Sequence, residues 1–227
     1  MPKIHTSSGT ITYKTYPLYT GVKVINKEIS QENLLLLKRI LDNYSIFFGL
    51  IAGTLLGAVR EHDFINHDED TDLFFLEEDK QKVFNILPEF LKNGFNIARY
   101  DRRGLLSIIR KGEYIDLYFF SDYGHHIRIC SGWCIPDKFL LNVSQYDFQG
   151  ATFIIPEDYI GYLEYEYGMN WQIPIPYADY TLSNWKRKVL QLKERVKDFL
   201  PDWAYFYLAS KTENRIRKKY LEKIASL

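Results

Sequence analysis

The chain has 227 residues, 46% of them hydrophobic, which is enough for one sizeable core. Its 29 basic and 29 acidic residues cancel, removing any global argument for nucleic acid or for an acidic partner. Two cysteines exclude a disulfide framework and suit a reducing compartment, and the opening MPKIHTSSGT lacks the charged-then-apolar order of a signal peptide, so a cytoplasmic location is expected.

Residues 1–29 are rich in β-branched and aromatic residues around Pro17 and Gly21, and read as an extended N-terminal arm or edge hairpin. Ser30 can cap a helix over Gln31 to Asn43, where Leu34, Leu35, Leu37, Ile40 and Leu41 share a stripe. A first strand, Ser45 to Ala52, follows. The uncharged run Tyr44 to Val59 is too short to span a bilayer and contains Gly53-Thr54, so it reads as a buried strand, turn and short helix. Backbone N–H groups at such a junction, with the Thr54 hydroxyl beside them, suit an anion such as phosphate. Arg60, at the far end of the short helix, is a further candidate substrate contact or a salt-bridge partner.

In the next strand, side-chain alternation puts Asp68, Asp70 and Asp72 on one face and Thr71, Leu73 and Phe75 on the other. Carboxylates two residues apart on a strand lie roughly 7 Å apart and repel unless something positive intervenes. Mg²⁺, or Mn²⁺ in its place, takes one or two carboxylates plus substrate phosphates, so a metal-phosphate assembly suits both halves of the segment. The bland alternative is an acidic surface loop.

Glu77 to Asn93 reads as an amphipathic helix closed by Gly94 and broken at Pro88. Phe95 to Tyr100, Leu105 to Lys111 and Glu113 to Phe120 read as a meander of three strands. In the last of them apolar residues surround Asp116 on both faces, which predicts a central strand and a buried carboxylate that needs a cation, an arginine or a proton. Asp116 is therefore the third candidate beside Asp70 and Asp72, against the alternative of a buried pair with Arg102, Arg103 or Arg110. His125, His126, Cys130 and Cys134 could in principle hold structural zinc, although their spacing is unlike a C-x2-C knuckle; buried thiols and a surface histidine pair are favoured. His126 is also a candidate phosphate contact.

Two further strands flank Gln149-Gly150, and Pro156-Glu157-Asp158 opens a helix with Tyr159, Leu163 and Tyr167 on one face and Gly168 as its stop. Trp171 and the residues after it look like packing against the core. From Thr181 onward Lys and Arg number 12 and Asp and Glu 5, an excess of +7 in a chain that is neutral as a whole. Two helices are expected there, Trp185 to Leu200 and Thr212 to Leu227, joined by an aromatic link over Pro201 to Leu208. Such a basic, aromatic segment could rest on anionic lipid at the inner face of a membrane, or simply cover the core.

The run GTLLGAVR followed by DEDTD resembles the signature of the LicD family of phosphocholine transferases and its fukutin-type relatives. IDLYFF at 115–120, FQG at 148–150 and IPEDYIGYLEYEYGMNW at 155–171 are similar to that family's third-carboxylate strand and closing elements. Asn66-His67 stands where the family usually shows Pro-Trp, and Glu69 replaces a frequent Asp. The resemblance covers residues 30–175 and implies an α/β (α+β) nucleotidyltransferase-like fold, a mixed sheet flanked by helices. The expected organisation is an arm over 1–29, a catalytic domain over 30–180 and a basic helical extension over 181–227.

By that resemblance the chain is expected to be a metal-dependent transferase that moves a phosphate-linked group, such as phosphocholine or a phospho-alditol, from a CDP-linked donor to a sugar hydroxyl of a glycan or glycolipid. Asp70, Asp72 and Asp116 would hold Mg²⁺ or Mn²⁺, Gly53 and Thr54 the phosphoryl group, and Asp116, or in its place Asp68, would accept the hydroxyl proton. A nucleotidyltransferase acting on a small molecule or protein is the second reading. A non-catalytic glycan- or nucleotide-binding module is the third.

Overall fold

The computed structural model describes residues 2–7, 9–16, 24–175 and 200–225, with isolated positions 183, 185, 186, 188, 189, 192 and 196. The protein is a mixed α/β fold, a large mixed sheet flanked by helices and followed by a C-terminal helix. Within the first 16 residues a small hairpin pairs β1 (Lys3–Thr6) with β2 (Gly9–Thr12), so the turn lies well before the predicted punctuation at Pro17 and Gly21, both of which fall outside the described residues.

Helix α1 (Lys27–Asn43) starts one turn earlier than the Ser30 cap predicts, because the Asn26 side chain accepts a hydrogen bond from the Ile29 N–H at 3.1 Å. Ser30 is buried inside the helix, while Leu34, Leu37, Ile40 and Leu41 form the buried stripe as expected. Asn33 and Arg110 exchange side-chain hydrogen bonds that tie α1 to the sheet, Asn33 Nδ2 to the Arg110 carbonyl at 2.8 Å and Arg110 Nη1 to Asn33 Oδ1 at 2.9 Å.

The predicted first strand shrinks to β3 (Gly49–Leu50). Ile46 and Phe48 are buried as an apolar run should be, but they fill the core without ladder partners; only Gly49 and Leu50 pair, with Phe74 and Leu73. Helix α2 (Ala52–Arg60) follows at once, and the acidic strand β4 (Asp70–Leu76) returns beside β3. The segment from Glu77 splits into α3 (Glu77–Asn85) and α4 (Leu87–Lys92), with Pro88 in the first turn of the second, where its missing N–H does no harm.

The predicted meander is present as β5 (Asn96–Asp101), β6 (Leu105–Arg110) and β7 (Glu113–Asp122). Beyond it come β8 (Ile127–Cys130), β9 (Trp133–Pro136), the short α5 (Lys138–Leu141), β10 (Val143–Phe148), β11 (Ala151–Pro156) and α6 (Tyr159–Tyr167). The sheet order is β10-β11-β3-β4-β7-β6-β5, with β8 and β9 joined to the far half of β7. Two neighbours run parallel, β11 with β3 and β4 with β7. Helices α1 and α3 pack on β4 and β7, and Leu73, Phe74, Phe75, Leu117, Phe119 and Phe120, which alternate between the two faces of these strands, are all fully buried.

Asp158 caps α6 by accepting from the Gly161 N–H at 3.0 Å, and Gly168 ends the helix where the sequence places its stop. The inward face of α6 is carried by Tyr162 and Leu163, whereas Tyr167 is exposed. The predicted helix Trp185 to Leu200 lies largely outside the described residues. The aromatic link beyond it is not a link: after Pro201 its residues belong to α7 (Asp202–Ala225), which contains no Gly or Pro to interrupt it. Helix α7 buries Tyr205, Ala209 and Tyr220; Tyr220 joins Ile127, Ile129 and Cys134 in a small second cluster.

Candidate active site

The site is built where β3 turns into α2 and meets β4 and β7. Ala52 opens α2 at φ +50, a left-handed conformation unusual for a residue with a Cβ. The sharp turn leaves the first helical N–H groups facing β4 and α6. They are already engaged: Ala52 N–H donates to Tyr162 Oη at 3.1 Å, and Gly53 N–H donates to Asp72 Oδ2 at 3.0 Å. Thr54 is buried and its Oγ1 accepts from the Asp72 N–H at 2.8 Å. The predicted anion-binding turn therefore holds an anion of its own, the Asp72 carboxylate.

Asp72 sits opposite Asp116 in the parallel β4–β7 register, and Asp70 sits one step earlier on the same face, opposite Tyr114. Asp68 precedes the strand and reaches over Gly53. A Cβ placed on Gly53 would overlap Asp68 Oδ2 and come within 3.3 Å of Asp72 Oδ2, so only glycine lets these carboxylates approach the helix so closely. Gly53→Ala is expected to displace the Asp68 carboxylate, changing stability by no more than about 1 kcal/mol while slowing turnover on the order of a hundredfold through misplacement. Thermal unfolding and kcat measured side by side check this; undiminished turnover removes Asp68 and Gly53 from the site.

Burial pushes the Asp70 carboxyl well above its ordinary range, and the charges of Asp72, Asp116 and Asp68 push it further. Asp72 rises for the same reason, burial first and then Asp68 and Asp116, against the opposing hydrogen bonds from Tyr118 and the Gly53 N–H. Tyr118 bridges the pair, its Oη also 3.4 Å from Asp116 Oδ2, and its own hydroxyl is raised by burial and by Asp72, Asp116 and Asp70. Asp116 is 2% exposed on a central strand, as predicted. Its partner is Arg99, with Nη2 to Oδ2 at 3.0 Å, and none of the three arginines expected. Arg102 pairs with Asp202, Arg103 with Asp101 and Arg110 with Glu32. Asp116 Oδ1 is buried with no hydrogen-bond partner.

Asp68, Asp70, Asp72, Asp116, Gly53 and Thr54 are thus brought together. Arg60 is placed at the other end of α2, donating to the Trp171 carbonyl at 3.2 Å and to Glu61 at 2.7 Å. His126 lies in the turn between β7 and β8, its side chain 93% exposed and paired with Asp137 at 3.3 Å. The possible zinc set is not assembled: Cys130 belongs to the main core, Cys134 to the second cluster, and the His126 ring faces solvent. Three participants escaped the sequence reading. Tyr118 was findable, since it is two residues from Asp116 on the same strand and must share its face; Tyr162 and Arg99 carry no local signal.

Residues 45–158 match the family described as LicD/FKTN/FKRP, nucleotidyltransferase domain. The chain belongs to the LicD/FKTN/FKRP family. The matched span runs from just before β3 to the cap of α6, enclosing every carboxylate of the cluster. The uncharacterized protein RP689 of Rickettsia prowazekii is 28% identical over 140 residues, 56% of this chain and 50% of the relative. The uncharacterized protein RT0683 of Rickettsia typhi is 28% identical over 133 residues, 56% of this chain and 42% of the relative. The matches thus span about half the length of these curated relatives or less. Among solved structures, the lincosamide antibiotic adenylyltransferase LnuA in its lincomycin-bound form is similar at 11% identity, covering 76% of this chain and 96% of LnuA with a TM-score of 0.45. The antibiotic-resistance factor ANT(2'')-Ia is similar at 11% identity, covering 88% and 95% with a TM-score of 0.46.

The donor chemistry of this LicD-family cluster fits a hard divalent cation: oxygen atoms only, carboxylates that repel one another, and an orphaned buried Oδ1 on Asp116. Among the described residues no three His, Cys, Asp or Glu side chains form a preassembled cage. Mg²⁺ asks for less than that, since one or two carboxylates suffice when substrate phosphates supply the remaining oxygens.

Proposed function

We propose that the protein transfers a phosphate-linked group, of the phosphocholine or phospho-alditol kind, from a CDP-linked donor to a sugar hydroxyl of a glycan or glycolipid. The observation that carries the reading is the β4–β7 register, which sets Asp72 beside Asp116 with Asp70 on the same face, inside the span matched by the LicD/FKTN/FKRP family. Donor class and acceptor class come from the family resemblance; the roles of residues come from the geometry.

Asp70 and Asp72 would hold Mg²⁺ or Mn²⁺, with Asp116 as the third carboxylate. When bound, the cation would neutralise charge on the donor phosphates and orient the leaving group. Gly53 and Thr54 fix Asp72, through its carboxylate and its backbone N–H respectively, so the helix start acts on the phosphoryl group through that carboxylate. The acceptor hydroxyl attacks the phosphorus distal to cytidine. A new P–O bond forms to the sugar, the bridging P–O bond breaks, CMP leaves, and the hydroxyl proton passes to a carboxylate. Asp116 suits that role because Oδ2 is held by Arg99 while Oδ1 has no protein partner.

The test is isotopic. A donor labelled at the β-phosphate should pass its label to the glycan with CMP as co-product. Label from the α-phosphate appearing on the acceptor instead, with pyrophosphate or a phosphate-bearing fragment released, establishes the second reading, nucleotide transfer, which the nucleotidyltransferase description of the matched domain favours.

A cytoplasmic location with peripheral contact at the inner membrane face belongs to the same proposal. Its support is the basic excess after Thr181 and the exposed Trp203, Phe206 and Tyr207 along α7, with Lys211 over the Tyr207 ring at 4.4 Å. No helix among the described residues is long and apolar enough to cross a membrane. Co-sedimentation with phosphatidylserine vesicles should weaken as salt rises and on Trp203→Ala; no binding at low salt overturns the membrane contact.

A further inference from the structure

Arg99 reaches Asp116 because of an irregularity in the sheet. Strands β5 and β6 pair Ile97 with Ile108, and an uninterrupted antiparallel ladder would then set Ala98 opposite Ser107 and Arg99 opposite Leu106. The register instead shifts between Ile97 and Arg99, so that Arg99 stands opposite Ser107. Ser107 in turn stands opposite Asp116. Because side chains alternate faces, the one-residue shift moves Arg99 from the far face of the sheet to the face of the carboxylates. There Nε donates to Ser107 Oγ at 3.2 Å and Nη2 to Asp116 Oδ2 at 3.0 Å, with the two charged side chains only 14% and 3% exposed.

We propose that Arg99 is the built-in counter-cation of the acidic cluster. It fixes Asp116 by one oxygen, holds the carboxylates together while no divalent cation is bound, and competes electrostatically with that cation when it arrives. A cluster containing Asp68, Asp70, Asp72 and Asp116 on adjoining elements is self-repulsive, and a guanidinium beside one member lowers the cost for its neighbours without blocking Asp116 Oδ1. Arg99 is in this sense a positioning residue: it acts through Asp116. The competition rests on the metal reading given above; the counter-cation role does not.

Two measurements separate these parts. In chelator, a double-mutant cycle of Arg99→Gln and Asp116→Asn is read by denaturant unfolding. Arg99→Gln alone should destabilise, and adding Asp116→Asn should restore most of the loss, because the orphaned carboxylate is then gone. Additive effects overturn the counter-cation role, as packing alone predicts no rescue. The second measurement is Mn²⁺ binding by electron paramagnetic resonance. Arg99→Gln should bind Mn²⁺ on the order of tenfold tighter than the unmodified protein, from removal of one nearby positive charge, while Arg99→Lys, which keeps the charge, should stay close to the unmodified protein. Equal affinity in Arg99→Gln overturns the competition. If the unmodified protein binds no Mn²⁺, the metal reading fails together with the competition, and the cycle in chelator still decides the role of Arg99 at Asp116.

Discussion

Asp72→Asn is expected to lower kcat for phosphate-group transfer by about three orders of magnitude or more while leaving the folded protein at least as stable at neutral pH. The two halves of this expectation have one cause. Asp72 is buried among like charges, and its carboxyl titrates well above its ordinary range, through burial first and then Asp68 and Asp116. An acid whose folded pKa is raised stabilises the fold below its unfolded pKa of about 3.9, and that contribution is lost as pH rises through the folded value. At neutral pH in chelator the charged cluster is therefore a net cost, which an uncharged isostere removes. Asn keeps an oxygen that can accept from the Gly53 N–H, and the Asp72 N–H bond to Thr54 Oγ1 is untouched. The charge that would hold a cation is lost. Turnover at saturating Mg²⁺ and thermal unfolding in chelator check both halves. Activity within tenfold of the unmodified protein rejects the metal role; a large fall in unfolding temperature shows that Asp72 serves the fold instead.

Asp101→Asn is expected to destabilise the protein by about 3 kcal/mol and to loosen α7. Asp101, at the end of β5, accepts from Arg103 Nε at 3.1 Å, Arg103 Nη2 at 2.8 Å and the Arg103 N–H at 2.9 Å, and from the Tyr205 hydroxyl of α7. The carboxylate is 7% exposed, so its removal leaves a guanidinium without its charge partner. Burial alone would raise this carboxyl, but the hydrogen bonds from Arg103 and Tyr205 prevail and hold it well below the usual range. A depressed acid contributes stability above its unfolded pKa and loses it as pH falls through the folded one. The penalty of Asp101→Asn should therefore be constant from neutral pH down to about pH 4 and shrink only in stronger acid. Urea unfolding across that range gives the magnitude, and hydrogen exchange over residues 202–225 shows whether α7 opens first. A loss below about 0.5 kcal/mol, or exchange in α7 unchanged, removes Asp101 as the anchor of that helix.

How much of this was readable beforehand depended on the range of the interaction. The helix break at Pro88, the meander, the stop at Gly168 and the burial of Asp116 all follow from residues within a few positions of one another, where steric rules and side-chain periodicity act. The same locality misplaced the cap of α1, since Asn26 and Ser30 both satisfy the residue-type rule, and in the fold it is the Asn26 side chain that accepts from the Ile29 N–H while Ser30 is buried inside the helix. It also lengthened β3, because burial of Ile46 and Phe48 does not require a ladder partner.

The sequence by itself determined which residue types carry the chemistry, the face on which Asp70 and Asp72 lie, the depth at which Asp116 is held and the family to which the central segment belongs. Tertiary structure alone decided what those groups touch. The register of parallel strands 44 positions apart set Asp72 against Asp116; a one-residue shift in β5 chose Arg99 over three nearer-looking arginines; and α6, 110 residues away, delivered the Tyr162 hydroxyl to the start of α2. The physical reason is that periodicity encodes the side of an element a residue faces, whereas a partner is fixed by register and packing summed over whole elements. No local pattern contains that sum.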